Sequence, residues 1–101
     1  MSYGRLEVRY NNTWGTVCRR EFTMQSANAA CKQLGYLRGA KNFTDATTYG
    51  PSNSTIWLSR LRCDGNESNI AACSHSYWGK TACTHAEDVS IICDPGTLHG
   101  Y

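Results

Sequence analysis

The sequence predicts a small, disulfide-rich α+β domain, and three observations predict it. Six cysteines, Cys18, Cys31, Cys63, Cys73, Cys83 and Cys93, stand in a chain of 101 residues. An even number at spacings too wide for a zinc knuckle reads as a disulfide framework formed in an oxidising compartment. One segment alone has a helical apolar period, while several short runs show the alternation or β-branched enrichment of strands. A domain of this size keeps little net stability once conformational entropy is subtracted. Three bridges would add on the order of 10 kcal/mol in the chain-entropy treatment, comparable to the whole net stability of a domain.

The elements follow in chain order. Leu6, Val8 and Tyr10 alternate with Arg5, Glu7 and Arg9, the pattern of a half-buried strand. Asn11-Asn12 supplies a turn, because asparagine tolerates left-handed backbone. Residues 13–18 return as a second strand rich in Trp, Thr and Val. Met24, Ala27, Ala30, Cys31 and Leu34 share one face of a helix, with Thr23 as N-cap and Gly35 as C-cap. Cys31 lies on that face, so its bridge is expected to staple the helix to the sheet. Residues 39–55 are polar, end in Gly50-Pro51-Ser52-Asn53 and read as a long surface loop with little regular structure. Residues 56–63 resemble a strand. Residues 66–73 are expected to hold one helical turn with Ile70 inward, and Cys63 and Cys73 are close enough in sequence to bridge locally. Residues 89–93 form a short β-branched run, a buried final strand. The domain is expected over residues 4–94, with 1–3 an expression start and 95–101 a linker or tail.

Composition excludes several classes. A net charge of +2 is too small for a nucleic-acid binder of this length. No apolar run of about 20 residues exists to enter a membrane. There is no Gly-x-Ser-x-Gly, no His-Glu-x-x-His and no phosphate-cradling glycine loop, so neither catalysis nor a cofactor is expected. Four sequons begin at Asn11, Asn42, Asn53 and Asn66, where seven asparagines would give roughly one by chance. They point to a glycosylating secretory route and to solvent-facing positions. The chain is therefore expected to be a domain of a longer secreted or membrane-anchored protein.

Several stretches together resemble the scavenger receptor cysteine-rich domain, over nearly the whole chain. They are Gly4-Arg5-Leu6-Glu7-Val8, Trp14-Gly15-Thr16-Val17-Cys18, Cys31-Lys32-Gln33-Leu34-Gly35-Tyr36, Ile56-Trp57-Leu58 ahead of Cys63, Gly65-Asn66-Glu67-Ser68, Trp78-Gly79 and His85-Ala86-Glu87-Asp88. Any one is weak; their order and spacing are specific. Tyr36 stands where the eight-cysteine group has an extra cysteine, so the chain is similar to the six-cysteine group A. The cysteines alone leave the pairing open. The resemblance implies Cys18–Cys83, Cys31–Cys93 and Cys63–Cys73, and a curved antiparallel β-sheet cradling one α-helix. It also implies a recognition or accessory module, as in macrophage scavenger receptors, secreted defence proteins, lysyl-oxidase-like enzymes and membrane serine proteases.

The chain departs from the family's cation site. Two acidic residues commonly follow the first cysteine of the pattern, and another comes from the His-x-Glu-Asp segment. Here those positions are Arg19, Arg20 and Ala86, and the acidic patch after Ile-Trp-Leu is Ser59-Arg60. A calcium site needs about six oxygen ligands, several of them anionic. Loss of the cation is therefore expected, with Glu87 and Asp88 pairing instead with Arg19 or Arg20. Arg19, Arg20, Arg60 and Arg62 are expected to gather where the cation would sit, Arg62 two residues along one strand from Arg60. Guanidiniums bind carboxylate, sulfate and phosphate bidentately, so the expected partner is an anionic glycan or an acidic protein face. The plainer reading is a solvated arginine face on a spacer or accessory domain of a multidomain protease or oxidase. Among the remaining candidates, His85 reads as structural, hydrogen-bonded near the last strand, and His75 and His99 have no zinc-like spacing to free cysteines. Trp14, Trp57 and Trp78 read as packing ahead of sugar stacking, and Phe22 as packing.

Overall fold

A computed structural model of the chain describes residues 2–45, 55–67 and 69–95. Six strands form two three-stranded sheets. The first contains β1 (Ser2–Arg5), β6 (Val89–Cys93) and β4 (Ala40–Asp45), with β6 central and both pairings antiparallel. The second contains β2 (Glu7–Tyr10), β3 (Thr13–Val17) and β5 (Thr55–Leu58), with β2–β3 antiparallel and β3–β5 parallel. The helix α1 (Met24–Gln33), the one α-helix among the described residues, packs on β4 and β6. The one antiparallel sheet implied by the resemblance is thus two short sheets, the second of them mixed. The division falls at Leu6: residues before it pair with β6 and residues after it with β3, while Leu6 itself is buried and its N–H reaches the Val89 carbonyl.

The β2–β3 hairpin has a two-residue turn, and Asn11 and Asn12 both take positive φ (52° and 63°), as that turn requires. Thr23 caps α1, its hydroxyl accepting the Ser26 N–H. Gly35 follows the helix at φ 99°, just past the last helical turn. The buried helix face is Ser26, Ala27, Ala29, Ala30 and Cys31. Leu34 is exposed and Met24 only half-buried, so the apolar stripe read from the sequence is rotated at both ends. Ser26 enters the core because its hydroxyl donates to the Leu61 carbonyl at 2.7 Å and accepts the Cys63 N–H.

Residues 40–45 form β4, a correction to the loop expected over 39–55; residues 46–54 lie outside the described residues. This stretch, Ala-Lys-Asn-Phe-Thr-Asp, has no strand pattern of its own. Pairing with the free edge of β6 imposes it, helped by the Asn28 side chain accepting the Ala40 N–H and by Phe43 packing edge-on against buried Phe22. β1 begins at Ser2, ahead of the boundary expected at Gly4, and β5 ends at Leu58 instead of running on to Cys63.

Three disulfides close the structure: Cys18–Cys83, Cys31–Cys93 and Cys63–Cys73, the connectivity the resemblance implies. Cys31–Cys93 ties α1 to β6. No helix among the described residues is long and apolar enough to cross a membrane.

Candidate functional site

The parallel pairing of β3 and β5 positions the arginines. Val17 lies opposite Leu58, and the Cys18 N–H donates to the Leu58 carbonyl at 2.8 Å. Both strands therefore end at the same place, and the segments leaving them, residues 18–22 and 59–62, run side by side. Gly15 permits this approach, because a Cβ there would collide with the Thr55 carbonyl and the Trp57 ring. The 3-10 turn at His85–Glu87 closes the third side: the Arg19 N–H donates to the Glu87 carbonyl at 2.7 Å, and Cys18 bridges to Asp88.

Arg19, Arg20, Arg60 and Arg62 are all exposed. Arg20 grips Glu87 with two hydrogen bonds, Nε to Oε2 at 2.8 Å and Nη2 to Oε1 at 3.3 Å. Arg60 and Arg62 converge on Glu21, whose Oε2 is 3.4 Å from one and Oε1 3.6 Å from the other. The two are not on one strand, as the sequence suggested. Arg60 sits in a bend at φ 55°, and the intervening Leu61 is buried. Three guanidiniums thus meet two carboxylates, and Arg19 adds a fourth exposed guanidinium. Glu21 escaped the sequence reading, although an acid directly after two arginines was a signal for it.

The remaining acids are occupied. The Arg20 guanidinium, followed by the Thr84 N–H, holds the Glu87 carboxyl below the ordinary glutamate range. Asp88 is buried, 2.9 Å from His85 Nδ1 and 3.8 Å from Arg5 Nε. Ala86 is exposed and offers no oxygen, and Ser59 is buried with its hydroxyl on Ser76. Among the described residues two groups bring three metal-binding side chains together, Cys18–Cys83–Glu87 and Cys63–Glu67–Cys73, but in each the sulfurs are already in a disulfide. Neither donor set suits a hard divalent cation, which needs several free oxygens. Among the described residues, the donors at these positions thus do not suit the family's cation.

Glu67 organises the loop that follows Cys63, accepting the Asp64 and Gly65 N–H groups, and the first of these bonds does most to lower its pKa. Trp57 and Trp78 pack with Tyr10, which stacks on Trp78 at 4.2 Å. Trp14 is 56% exposed, a correction to its reading as packing. His85 holds Asp88 beside Thr16, the structural role expected of it. Asn11, Asn42 and Asn66 are exposed, whereas Asn53 and His99 lie outside the described residues.

Comparison with known proteins gives a consistent picture. The family model of the scavenger receptor cysteine-rich domain matches residues 1–94. Lysyl oxidase homolog 2 of Homo sapiens is 43% identical over 100 residues, covering 99% of this chain and 13% of that protein. Lysyl oxidase homolog 4 of Mus musculus is 42% identical over 98 residues, covering 97% of this chain and again 13% of the relative. The chain thus spans about an eighth of the curated relatives it matches. The dimeric form of the SRCR domain of mouse MARCO superposes with a TM-score of 0.83 at 35% identity, covering 92% of this chain and 87% of that one. The third SRCR domain of murine neurotrypsin gives 0.79 at 36%, covering 91% and 85%.

Proposed function

The chain belongs to the scavenger receptor cysteine-rich domain family, and we propose that it is an extracellular recognition module that contacts anionic ligands through arginine and without a bound cation. One observation supports this reading: β3 and β5 end together in parallel, and the segments that leave them carry Arg19 and Arg20 after one strand and Arg60 and Arg62, which meet Glu21, after the other. Guanidiniums are permanently charged and form paired hydrogen bonds with sulfate, phosphate and carboxylate oxygens. They reach such ligands directly, with no ion between.

The module is read as non-catalytic. Any enzymatic activity of the full protein then resides outside these 101 residues. A second reading is favoured by the identity to lysyl oxidase homologs, in which a domain of this kind is a small part of a larger protein. On that reading the arginine face docks an enzyme onto an acidic protein or glycan surface. Exposure of Asn11, Asn42 and Asn66 supports their use as glycan attachment sites in either setting.

The test is binding to immobilised dextran sulfate with and without a chelator. Binding should persist in the chelator, and millimolar calcium should leave the melting temperature unchanged. Loss of binding in the chelator, or a calcium-induced rise of several degrees, would establish a cation site and overturn the reading.

A further inference from the structure

We infer that the free edge of β2 is a self-association site, where two copies of this domain pair antiparallel about Val8. The β2–β3 hairpin fixes which main-chain groups that edge presents. Tyr10 and Thr13 flank the two-residue turn as a hydrogen-bonded pair, so paired and unpaired positions alternate back along β2 from Tyr10. Tyr10 and Val8 turn their N–H and C=O toward β3, whereas Arg9 and Glu7 turn theirs outward. β2 is the outer strand of its sheet, and among the described residues neither Glu7 nor Arg9 makes a main-chain hydrogen bond on the outer side. This edge carries none of the four arginines proposed to bind anions.

Proteins usually blunt such an edge with proline, a bulge or repelling charge. β2 reads Glu-Val-Arg-Tyr and pairs with β3 in unbroken register, so it has neither of the first two. Its charges alternate in sign. Glu7 and Arg9 are both exposed and, lying two residues apart, project on the same face. The Glu7 carboxylate has no ionic or hydrogen-bond partner among the described residues, and the Arg9 guanidinium contacts the Asn12 side chain at 3.4 Å.

A two-fold axis through Val8 sets Glu7 opposite Arg9 of the second copy, and Arg9 opposite its Glu7. Both are positions whose main-chain groups face outward, so each pair exchanges two N–H···O bonds. The side chains on those pairs carry opposite charges, with Cα atoms about 5.5 Å apart. Sliding one strand by two residues is the smallest shift that keeps the outward groups facing each other. It sets Arg9 against Arg9 or Glu7 against Glu7, so charge selects the register about Val8. The surroundings favour cover as well. A groove of about 400 Å³ runs beside residues 6–10, and exposed Leu34 and Trp14 form part of its wall. A strand laid along the edge removes part of this apolar surface from water.

The experiment is sedimentation velocity on the 101-residue protein from about 10 μM to about 1 mM, for the parent, Glu7→Arg and Arg9→Glu. The parent should dimerise in this range. Each variant sets like charges opposite each other at both pairs and should associate at least about tenfold more weakly. An equimolar mixture of the two variants should recover the association of the parent, because every pair across the axis is then of opposite charge. A parent that stays monomeric to about 1 mM, or a mixture no tighter than the separate variants, overturns the inference. Amide hydrogen exchange on the parent reads the same edge without substitution and decides should a variant not fold. The Glu7 and Arg9 amides should exchange fast in dilute protein and slowly in concentrated protein, while Val8 and Tyr10 stay protected in both. Dimerisation that leaves the Glu7 and Arg9 amides fast places the contact elsewhere and overturns the inference as well.

Discussion

Reversing Arg19 and Arg20 to glutamate tests the arginine face most directly. In the parent, four guanidiniums and two carboxylates leave the face at +2; in the double variant, two guanidiniums and four carboxylates leave it at −2. Each exposed guanidinium–sulfate contact accounts for about tenfold in affinity. Losing two should weaken dextran sulfate binding roughly 100-fold, before repulsion between the new acids and the ligand is counted. The salt dependence gives a second measure. With about 0.7 counterions released per contact on a flexible polyanion, log K should fall against log salt with a slope of roughly −3 for four contacts and −1.5 for two. Titration calorimetry across a salt series reads both. The control is Arg38→Glu with Lys41→Glu, which changes the net charge equally but alters exposed residues in the turn after α1 and on β4. If this control loses as much affinity as Arg19→Glu/Arg20→Glu, binding follows net charge alone, and the reasoning from a localised face is refuted.

Acid should act in two directions at once. Glu67 and Glu87 are held below the ordinary glutamate value in the folded state, so each contributes stability that is complete above that value and is lost as pH falls through its depressed native one. The melting temperature should drop in that acidic window, less steeply in Glu67→Gln. Over the same window, protonated Glu87 releases Arg20, and binding to dextran sulfate, which stays ionised, should strengthen; a flat or falling affinity would contradict the ion pair. Gly15→Ala should cost about 1–3 kcal/mol by forcing β5 away from β3, and should lower polyanion affinity as the arginine pairs separate, with denaturant melts and binding measured on the same sample. Removing Cys63–Cys73, which closes 10 residues, should cost about 2.7 kcal/mol, against about 4.3 for Cys31–Cys93, which closes 62. The first variant should therefore melt roughly 10–20 °C lower yet stay folded. Equal losses in the two variants would argue against the loop-entropy account.

Legibility from sequence differed by element for physical reasons. The Asn11-Asn12 turn, the Thr23 cap and the inward Ile70 depend on local backbone chemistry and were readable. β4 was not, because its residues carry no strand signal and the free edge of β6 supplies one. The helix face was misjudged at Leu34 and Ser26, since apolarity ranked leucine inward while a hydrogen bond to Leu61 drew the serine in. For the candidate site, the unusual arginines stood out as replacements in a recognisable pattern, but Glu21 did not, because its role lies in what it touches.

The chain by itself determined that six cysteines would staple a small α+β domain and that basic side chains would stand at Arg19, Arg20, Arg60 and Arg62. These are matters of residue type and order. Only the tertiary structure decided that Glu87 holds Arg20, that Glu21 holds Arg60 and Arg62, and that Asp88 is sealed inside with His85 and Arg5. The cause is the parallel register of β3 against β5, an alignment of segments about forty residues apart that no local propensity encodes.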